Sequence, residues 1–335
     1  MSYKLAAKKY TAELLRRTCV FKLLSLSTAK EKAPVLMYHR VLDTPEQESV
    51  FVQPGMYVTT KTFRLHVAYL KKNYQVISLQ ELAARVRDGK DVGQCCVITF
   101  DDGWLDTYTQ AYPVLQEFDV PASIFLATGL IGTKRLFWPE EFAAYLQSTE
   151  LRDLARHKSR MIDEVLSRAS DMSKDELLDG CISALKTLPV EEREELLTHL
   201  QGMSKSDPPG RMLLDWDEVR EMQDSGLVSF GAHTADHVIL DQVSLEQAEE
   251  EIVQSKLDMQ EHLGGRPEVF AYPNGNYNAD IQGLLEKHGF LAAVTTKKGW
   301  VGPGTNMLEI PRIGMHEHVS RTVPLFLARM YLRRF

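Results

Sequence analysis

Residues 97–103, VITFDDG, place two adjacent carboxylates, Asp101 and Asp102, directly after a short apolar run. A continuous apolar run of this kind is typical of a strand that is covered on both faces of a parallel sheet. Two neighbouring carboxylates at the end of such a strand are costly to remove from water unless a ligand or a partner uses them. Because ligands of α/β sheets bind at the carboxyl ends of the strands, the motif predicts a functional site there. An ordinary Asp-Gly turn is the alternative.

Short apolar runs of the same kind recur along the chain, with helical periodicity between several of them. The predicted strands are residues 35–38, 75–78, 97–100, 122–126, 228–231, 269–272, 292–295 and 309–313. The predicted helices are residues 60–73, 79–88, 104–118, 216–225, 245–263 and 278–288, with N-caps at Thr59 or Thr60, Ser78, Ser244 and Asn278. This alternation predicts an α/β fold with a parallel sheet. About eight strands could close into a barrel, and an open sheet remains the alternative.

A long stretch at about residues 137–214 interrupts the alternation, because it is polar and rich in helical patterns and shows no strand pattern. The helical patterns are residues 140–146, 151–155, 162–167, 174–188 and 190–200, and a Pro-Pro-Gly loop signal follows at residues 204–210. We interpret the stretch as a helical insertion or lid, with unusually long barrel-covering helices as the alternative. The predicted organisation is a basic amphipathic segment at residues 1–30 and a barrel over residues 31–335 that contains this insertion.

The composition and the cysteines narrow the class of protein. Hydrophobic residues make up 44% and charged residues 25% of the 335 residues, which excludes disordered, collagenous and disulfide-rich scaffolds. A chain of this length buries a sizeable core without a disulfide or a metal. The four cysteines, at positions 19, 95, 96 and 181, match no zinc or redox spacing and favour a reducing compartment.

The charge of the chain is distributed unevenly. Residues 1–30 carry seven basic side chains against one acidic, residues 319–335 carry four basic and no acidic, and the whole chain has a net charge of −7. Both ends are also apolar, so they are either amphipathic helices on an anionic membrane surface or helices docked on the body of the protein. No signal peptide or run of roughly 20 apolar residues is present, so we expect a cytoplasmic protein with a possible peripheral contact at the inner face of the membrane. The acidic body makes nucleic acid an unexpected partner.

A second chemical motif follows the strand predicted at residues 228–231. Residues 231–237, GAHTADH, place His233 and His237 four positions apart. That spacing puts two imidazoles on one face of a helical turn, which suits zinc or another divalent metal. A catalytic metal site with two histidine ligands usually has a third protein ligand, commonly a carboxylate, and the Asp101-Asp102 pair supplies the candidate.

Three further segments lie at strand ends. Residues 270–275, FAYPNG, form a rigid turn that could present a backbone N–H toward a developing oxyanion, with a plain turn as the alternative. Residues 37–41, MYHRV, close the first predicted strand. Residues 308–318, LEIPRIGMHEH, follow the last one and offer His316 and His318 as possible general acids.

These five segments, in this order, resemble the polysaccharide deacetylase family, which is also called carbohydrate esterase family 4 or the NodB-homology domain. The resemblance runs from about residue 34 to residue 312, and the tyrosine-containing motifs are similar to the exopolysaccharide-modifying branch. It implies a distorted (β/α) barrel with a divalent metal, for which Zn2+ is the first expectation, and removal of acetyl groups from sugars. The implied substrate is an N-acetylated sugar of a cell-surface polysaccharide or of its lipid-linked precursor.

The resemblance also assigns roles to individual residues. Asp101 is similar to the family's catalytic base, and the residues similar to its metal ligands are Asp102, His233 and His237. The backbone N–H of Asn274 would bind the oxyanion, and His316 approximates the family's general acid. Ala271 stands where many members carry the arginine that orients the base, and Arg312 is the candidate replacement.

Two other functions are compatible with the same residues. A deformylase or deacylase of a small N-acyl amine would use the same metal site. A non-catalytic carbohydrate-binding protein on the same scaffold would lack turnover. The complete Asp-Asp and His-x-x-x-His motifs argue against this last function, whereas the missing third-motif arginine mildly favours it.

Overall fold

Parallel strands and covering helices make up most of the chain in the computed structural model. The structure describes residues 3–18, 20–21, 24, 29–44, 52–53, 55–148, 174–188, 190–203 and 210–332. Cys19, the helices predicted at residues 151–155 and 162–167, and residues 204–209 of the predicted loop lie outside the described residues. Contacts divide the chain into two units: the described parts of Met1–Asp43, Pro54–Thr133 and Leu213–Phe335, and those of Thr44–Gln53 and Lys134–Met212.

The first unit is built on a curled parallel sheet that forms a half-barrel with surrounding helices. Its strands are β1 (Val35–Tyr38), β2 (Arg40–Leu42), β3 (Tyr57–Thr59), β4 (Gln75–Val76), β5 (Cys95–Phe100), β6 (Ala122–Leu126), β7 (Val228–Ala232), β8 (Val269–Ala271), β9 (Ala292–Val294) and β10 (Ile313–Gly314). The order across the sheet is β10-β1-β5-β6-β7-β8-β9, with β4 beside β5, and β2 and β3 form a separate parallel pair. The α/β fold and its parallel sheet are therefore confirmed.

Helices connect these strands, as the alternating pattern predicts. In chain order they are α1 (Tyr3–Arg17), α2 (Thr60–Asn73), α3 (Leu79–Arg87), α4 (Tyr112–Phe118), α5 (Trp138–Ser148), α6 (Lys174–Leu185), α7 (Val190–Met203), α8 (Trp216–Asp224), α9 (Leu245–Leu263), α10 (Ala279–Lys287), α11 (Glu317–Ser320) and α12 (Val323–Tyr331). The side chains predicted as N-caps accept backbone N–H bonds at the starts of four helices: Thr59, Ser78, Ser244 and Asn278.

Most predicted strands and helices lie where the sequence places them, because their apolar runs are fully buried. Every residue of β5 and β6 is buried, which is the pattern of strands covered on both faces. The strand predicted at residues 309–313 is wrong for most of its length. Asn306 caps a short 3-10 turn at Met307–Glu309, and Pro311 has no backbone N–H. Pairing is therefore limited to an isolated parallel bridge between Ile310 and Val294 and to the short strand Ile313–Gly314.

The N-terminal helix is docked on the body of the protein. Ala12 and Phe21 are buried, the ring of Phe21 lies 6.5 Å from that of Tyr331, and α1 packs against α12. Tyr10 and Leu14 remain exposed on the same helix. The basic segments at the two ends of the chain are therefore neighbours. None of the described helices combines the length and apolar character that crossing a bilayer requires. Contact of these ends with a membrane surface, and the location of the protein, stay predictions.

The second unit consists largely of helices in its described part. Helix α5 packs against α6 and α7, around buried side chains that include Phe142, Leu178 and Leu196. The guanidinium of Arg193 lies 4.8 Å from the ring centre of Trp138, a cation–π contact. This unit takes in most of the stretch predicted as a helical insertion at residues 137–214. Its interpretation as a lid stays a prediction.

Gly231 on β7 provides a test of how tightly the sheet is covered. A Cβ at this position would lie 2.7 Å from ring atoms of Phe125 and from Cγ2 of Val269. We expect Gly231→Ala to lower the free energy of unfolding by about 1–3 kcal/mol, because the neighbouring strands must shift to admit a methyl group. Urea unfolding followed by circular dichroism measures the change.

The matched control is Gly283→Ala on the exposed side of α10, where a Cβ meets nothing within 4 Å. That substitution should leave the protein as stable or stabilise it by up to ~1 kcal/mol, because alanine favours a helix more than glycine does. Equal effects of the two substitutions would contradict close packing around Gly231.

Candidate active site

Polar residues gather where neighbouring strands end at the carboxyl edge of the sheet. Asp101 and Asp102 follow β5, and His233 follows β7. The backbone places them by continuing the sheet's hydrogen bonds: the N–H of Asp101 donates to Tyr38 O (3.0 Å), and that of His233 to Leu126 O (2.9 Å). Strand order alone therefore brings residues that are more than a hundred positions apart to one edge.

Asp102 and the two histidines form a compact cluster. Asp102 Oδ1 lies 3.4 Å from Nε2 of His233 and 3.5 Å from Nε2 of His237. One ligand atom from each residue falls within 4.8 Å of the others. Asp102 and His233 are buried, and the side chain of His237 is partly exposed. Within the described part of the chain, this is the one such group of three or more histidine, cysteine or carboxylate side chains.

Two hydrogen bonds orient the cluster. His233 Nδ1 lies 2.7 Å from Ala271 O, and a carbonyl only accepts, so Nδ1 carries a proton and Nε2 is the ring nitrogen that faces Asp102. Nε1 of Trp104 donates to Oδ2 of Asp102 (2.9 Å), so Oδ1 is the oxygen that faces the histidines. This arrangement presents three donor atoms toward a common point.

The pKa values of the cluster reflect burial opposed by charge. Burial acts to raise the pKa of Asp102, but the hydrogen bond from His233 and the nearby histidines bring that pKa well below its usual value. Burial acts to lower the pKa of His233, and the two carboxylates raise it overall. Burial and the neighbouring His233 lower the pKa of His237 to about 4, so its ring is neutral at pH 7.

The loop between the two histidines is not a helical turn, contrary to the prediction from their spacing. Thr234 has φ 63° and His237 has φ 58°, in the left-handed region. A β-branched threonine there costs on the order of 1–3 kcal/mol and persists only where the surroundings hold it. Contacts from α9 and from the turn after β6 replace the helical hydrogen bonds that the spacing suggests.

Asp101 is held by Arg312, which the sequence nominated for this role. The guanidinium is fully buried, and its Nη1 and Nη2 each donate to one oxygen of Asp101 at 2.6 Å. Arg312 Nε donates to Thr295 O (2.9 Å), and Nη1 also donates to Thr99 Oγ1 (3.1 Å). Burial alone would raise the pKa of Asp101, but the charge and hydrogen bonds of Arg312 bring it below its ordinary value.

His39 is a site residue to which the sequence gave no role. Its Nε2 lies 3.9 Å from Oδ2 of Asp101, and the side chain is 19% exposed. The sequence could have indicated His39 by its position, because His39 follows β1 directly, just as Asp101 follows the neighbouring strand β5. The next residue, Arg40, donates from Nε to Oδ2 of Asp106 (2.8 Å), and its guanidinium lies 4.6 Å from the ring centre of Trp104.

The remaining predicted site residues lie at the ends of other strands. Asn274 is exposed in the Pro273–Gly275 turn after β8, with φ 57°, and its Nδ2 donates to Asn276 Oδ1 (2.9 Å). His316 is the residue before α11 and follows β10, the strand beside β1. Glu317 anchors that segment, because its carboxylate accepts from Thr59 N (2.9 Å) and Thr62 Oγ1 (3.1 Å). The roles of Asn274 and His316 stay predictions.

Comparison with known sequences identifies the family of the chain that carries this site. The sequence profile described as polysaccharide deacetylase matches residues 88–293, which contain Asp101, Asp102, His233, His237 and Asn274. This chain belongs to the polysaccharide deacetylase family. Membership implies a hydrolase that acts on N-acetyl groups and a carbohydrate as its substrate.

Two curated relatives and one solved structure illustrate the similarity. YxkH of Bacillus subtilis (strain 168) is 24% identical over 291 residues, which are 86% of this chain and 73% of YxkH. The poly-beta-1,6-N-acetyl-D-glucosamine N-deacetylase of Staphylococcus epidermidis is 30% identical over 116 residues, which are 32% of this chain and 40% of that protein. The Streptococcus pyogenes deacetylase PplD, solved in complex with acetate, superposes with a TM-score of 0.59 at 20% identity, covering 89% of this chain and 98% of PplD. At that identity the superposition shows a shared fold.

The Asp101–Arg312 pair yields a prediction about stability. We expect Arg312→Met to lower the free energy of unfolding by about 3–5 kcal/mol at pH 7, because it leaves the Asp101 carboxylate buried without its partner. The double variant Asp101→Asn/Arg312→Met should recover part of this loss, because it removes the uncompensated charge. Urea unfolding of each variant at several pH values measures the effect.

The pH dependence follows from the direction of the pKa change. The lowered pKa of Asp101 contributes stability above its unfolded pKa of about 3.9, and this contribution is lost as the pH falls through the folded pKa. In Arg312→Met that pKa rises, so Asp101 becomes protonated, and loses its buried charge, at a higher pH. The loss of stability relative to the wild type should therefore become smaller as the pH is lowered. Arg220→Met, which removes an exposed pair with Asp217, should change stability by less than ~1 kcal/mol at any pH. A deficit that is small, or independent of pH, would contradict the assignment.

Proposed function

We propose that this protein is a metal-dependent deacetylase that removes N-acetyl groups from a sugar of a cell-surface polysaccharide or of its lipid-linked precursor. The observation that carries the proposal is the cluster of Asp102, His233 and His237 beside the carboxylate of Asp101, which is paired with Arg312. Membership of the polysaccharide deacetylase family supports the reaction. The relative whose name gives poly-beta-1,6-N-acetyl-D-glucosamine as its substrate supports a polymer of N-acetylated sugar.

The three residues of the cluster fit a divalent metal, and we expect Zn2+. One carboxylate and two imidazoles, with at least one position left open, are a donor set of catalytic zinc sites. The hydrogen bond from His233 Nδ1 to a backbone carbonyl is the support that metal-binding histidines use, and it directs Nε2 toward Asp102. The low pKa of His237 favours the neutral ring that a metal requires.

Asp101 is the proposed base that takes a proton from the attacking water. A bound divalent ion would supply a Lewis acid for the acyl oxygen and would lower the pKa of water, which suits a weakly basic carboxylate. Arg312 keeps Asp101 ionised across neutral pH and fixes the direction of both of its oxygens. The same contact supplies Asp101 with a guanidinium, although Ala271 stands at the position where many family members carry an arginine.

Two further groups complete the proposed reaction. The backbone N–H of Asn274, in the turn after β8, is the proposed donor to the oxyanion of the tetrahedral intermediate. We assign the proton donor for the leaving amine to His39, because its Nε2 is 3.9 Å from Asp101 and its side chain reaches solvent. His316 is the alternative donor that the sequence motif suggests. The products are acetate and a free amine.

Acetate release from β-1,6-linked N-acetylglucosamine oligomers tests the reaction. Wild-type protein should release acetate, and Asp101→Asn should lower kcat by about 10²–10⁴-fold, because an amide cannot accept the proton. The control is Asp217→Asn, an exposed residue of α8, which should leave kcat unchanged.

An N-formylated small amine is the second substrate in the same assay. Turnover of this compound alone would favour the deformylase function. Binding of the oligomer with no release of acetate by the wild type would favour a carbohydrate-binding protein. Full activity of Asp101→Asn would remove Asp101 from the chemistry.

The proton donor is tested with two matched variants, His39→Asn and His316→Asn. If His39 protonates the leaving amine, its variant should lose about 10²–10⁴-fold in kcat and the basic limb of the pH–rate profile should change, while His316→Asn keeps that limb. The measurement is kcat against pH for both variants. The reverse pattern would return the role to His316.

A further inference from the structure

Helix α9 contacts the loop that joins the two histidines of the cluster. Oε2 of Glu251 accepts the backbone N–H of Ala235 at 3.0 Å and that of Asp236 at 2.9 Å. Both N–H groups lie between His233 and His237 in the sequence. A carboxylate that accepts two backbone N–H groups makes charge-assisted bonds, which are stronger than neutral ones. Glu251 therefore fixes the middle of the segment whose ends carry two of the three candidate ligands.

The turn after β6 holds the opposite side of the same loop. The N–H of Thr128 donates to Thr234 O (3.2 Å), and the N–H of Gly129 donates to Ala235 O (2.9 Å). The two segments are in close contact, since a Cβ on Gly129 would lie 2.7 Å from Oδ1 of Asp236 and 3.1 Å from the backbone O of Ala235. The carbonyls of the loop are thus held from β6, and its N–H groups from α9.

Helix α9 also supports that turn. Oγ1 of Thr128 donates to Oδ2 of Asp258 at 2.6 Å, and Asp258 lies seven residues after Glu251, on the same face of α9. The loop that contains the left-handed Thr234 and His237 is therefore held by α9 directly, and by the turn after β6 that α9 supports. This explains why the spacing of the histidines does not produce the helical turn that it suggests.

We propose that Glu251 is a positioning residue that sets the separation of His233 and His237, and through it the affinity and coordination geometry of the metal site. His233 is fixed directly by Ala271 O, whereas the backbone path from His233 to His237 runs through the two peptide groups that Glu251 holds. This inference rests on the proposed function in one respect, namely that the cluster binds a divalent ion.

Titration of the metal-free full-length protein with Co2+ tests the inference, because the visible absorption of Co2+ reports both affinity and coordination geometry. Glu251→Ala should weaken Co2+ binding roughly 10- to 100-fold, as removal of a group that orients a ligand does, and should change the absorption spectrum. Glu251→Gln retains an acceptor oxygen and should restore most of the affinity and the wild-type spectrum. The control is Glu250→Ala, an exposed neighbour on α9, which should bind as the wild type does.

The outcomes separate this inference from the proposed function. Wild-type protein that binds no Co2+ would overturn the metal site and the inference with it. Wild-type binding with an unchanged affinity and spectrum in Glu251→Ala would overturn only the role of Glu251. If Glu251→Ala does not fold, as circular dichroism would show, Glu251→Asn decides. This variant keeps an amide oxygen on a shorter side chain, so a folded protein with wild-type Co2+ affinity and spectrum would overturn the inference.

Discussion

The structure of the site depends on how two adjacent buried carboxylates are compensated. Asp101 and Asp102 follow a fully buried strand, where an isolated charge is expensive. Asp101 is neutralised by two parallel hydrogen bonds from Arg312, whereas Asp102 faces two histidines and receives the indole N–H of Trp104. The two neighbours thus have different environments, one a fixed ion pair and the other a cluster of donor atoms. This difference separates a proposed base from a proposed metal ligand.

Much of the fold could be predicted from the sequence because it depends on local patterns. Buried parallel strands appear as continuous apolar runs, and helix starts such as Ser244 and Asn278 carry their own capping side chains. The pairing of β2 with β3 could not be predicted, because each strand has only three residues and is held by residues far away in the sequence, β2 by Asp106 and β3 by Glu317. The strand predicted at residues 309–313 failed for a local reason that the sequence did contain, the capping Asn306 and the proline at position 311.

The site was predictable in its residue types but not in its connections. Strand ends indicated Asp102, His233 and His237, and the structure brings them within 4.8 Å. The contact of Arg312 with Asp101 spans 211 positions of the sequence, so a motif could suggest it but no local pattern could establish it. The support from Glu251 was not foreseen, because it acts on backbone N–H groups and has no side-chain pattern. The left-handed conformation of the loop between the histidines was not foreseen either, because it also depends on contacts to the backbone from residues distant in the sequence.

We infer that Asp102, His233 and His237 together hold one divalent ion. Elemental analysis of purified protein after incubation with Zn2+ and removal of the excess tests it most directly, with His237→Ala and Asp102→Asn beside the wild type. We expect about one zinc per chain in the wild type and a loss of most of it in both variants. No retained zinc in the wild type, or equal retention in all three proteins, would contradict it.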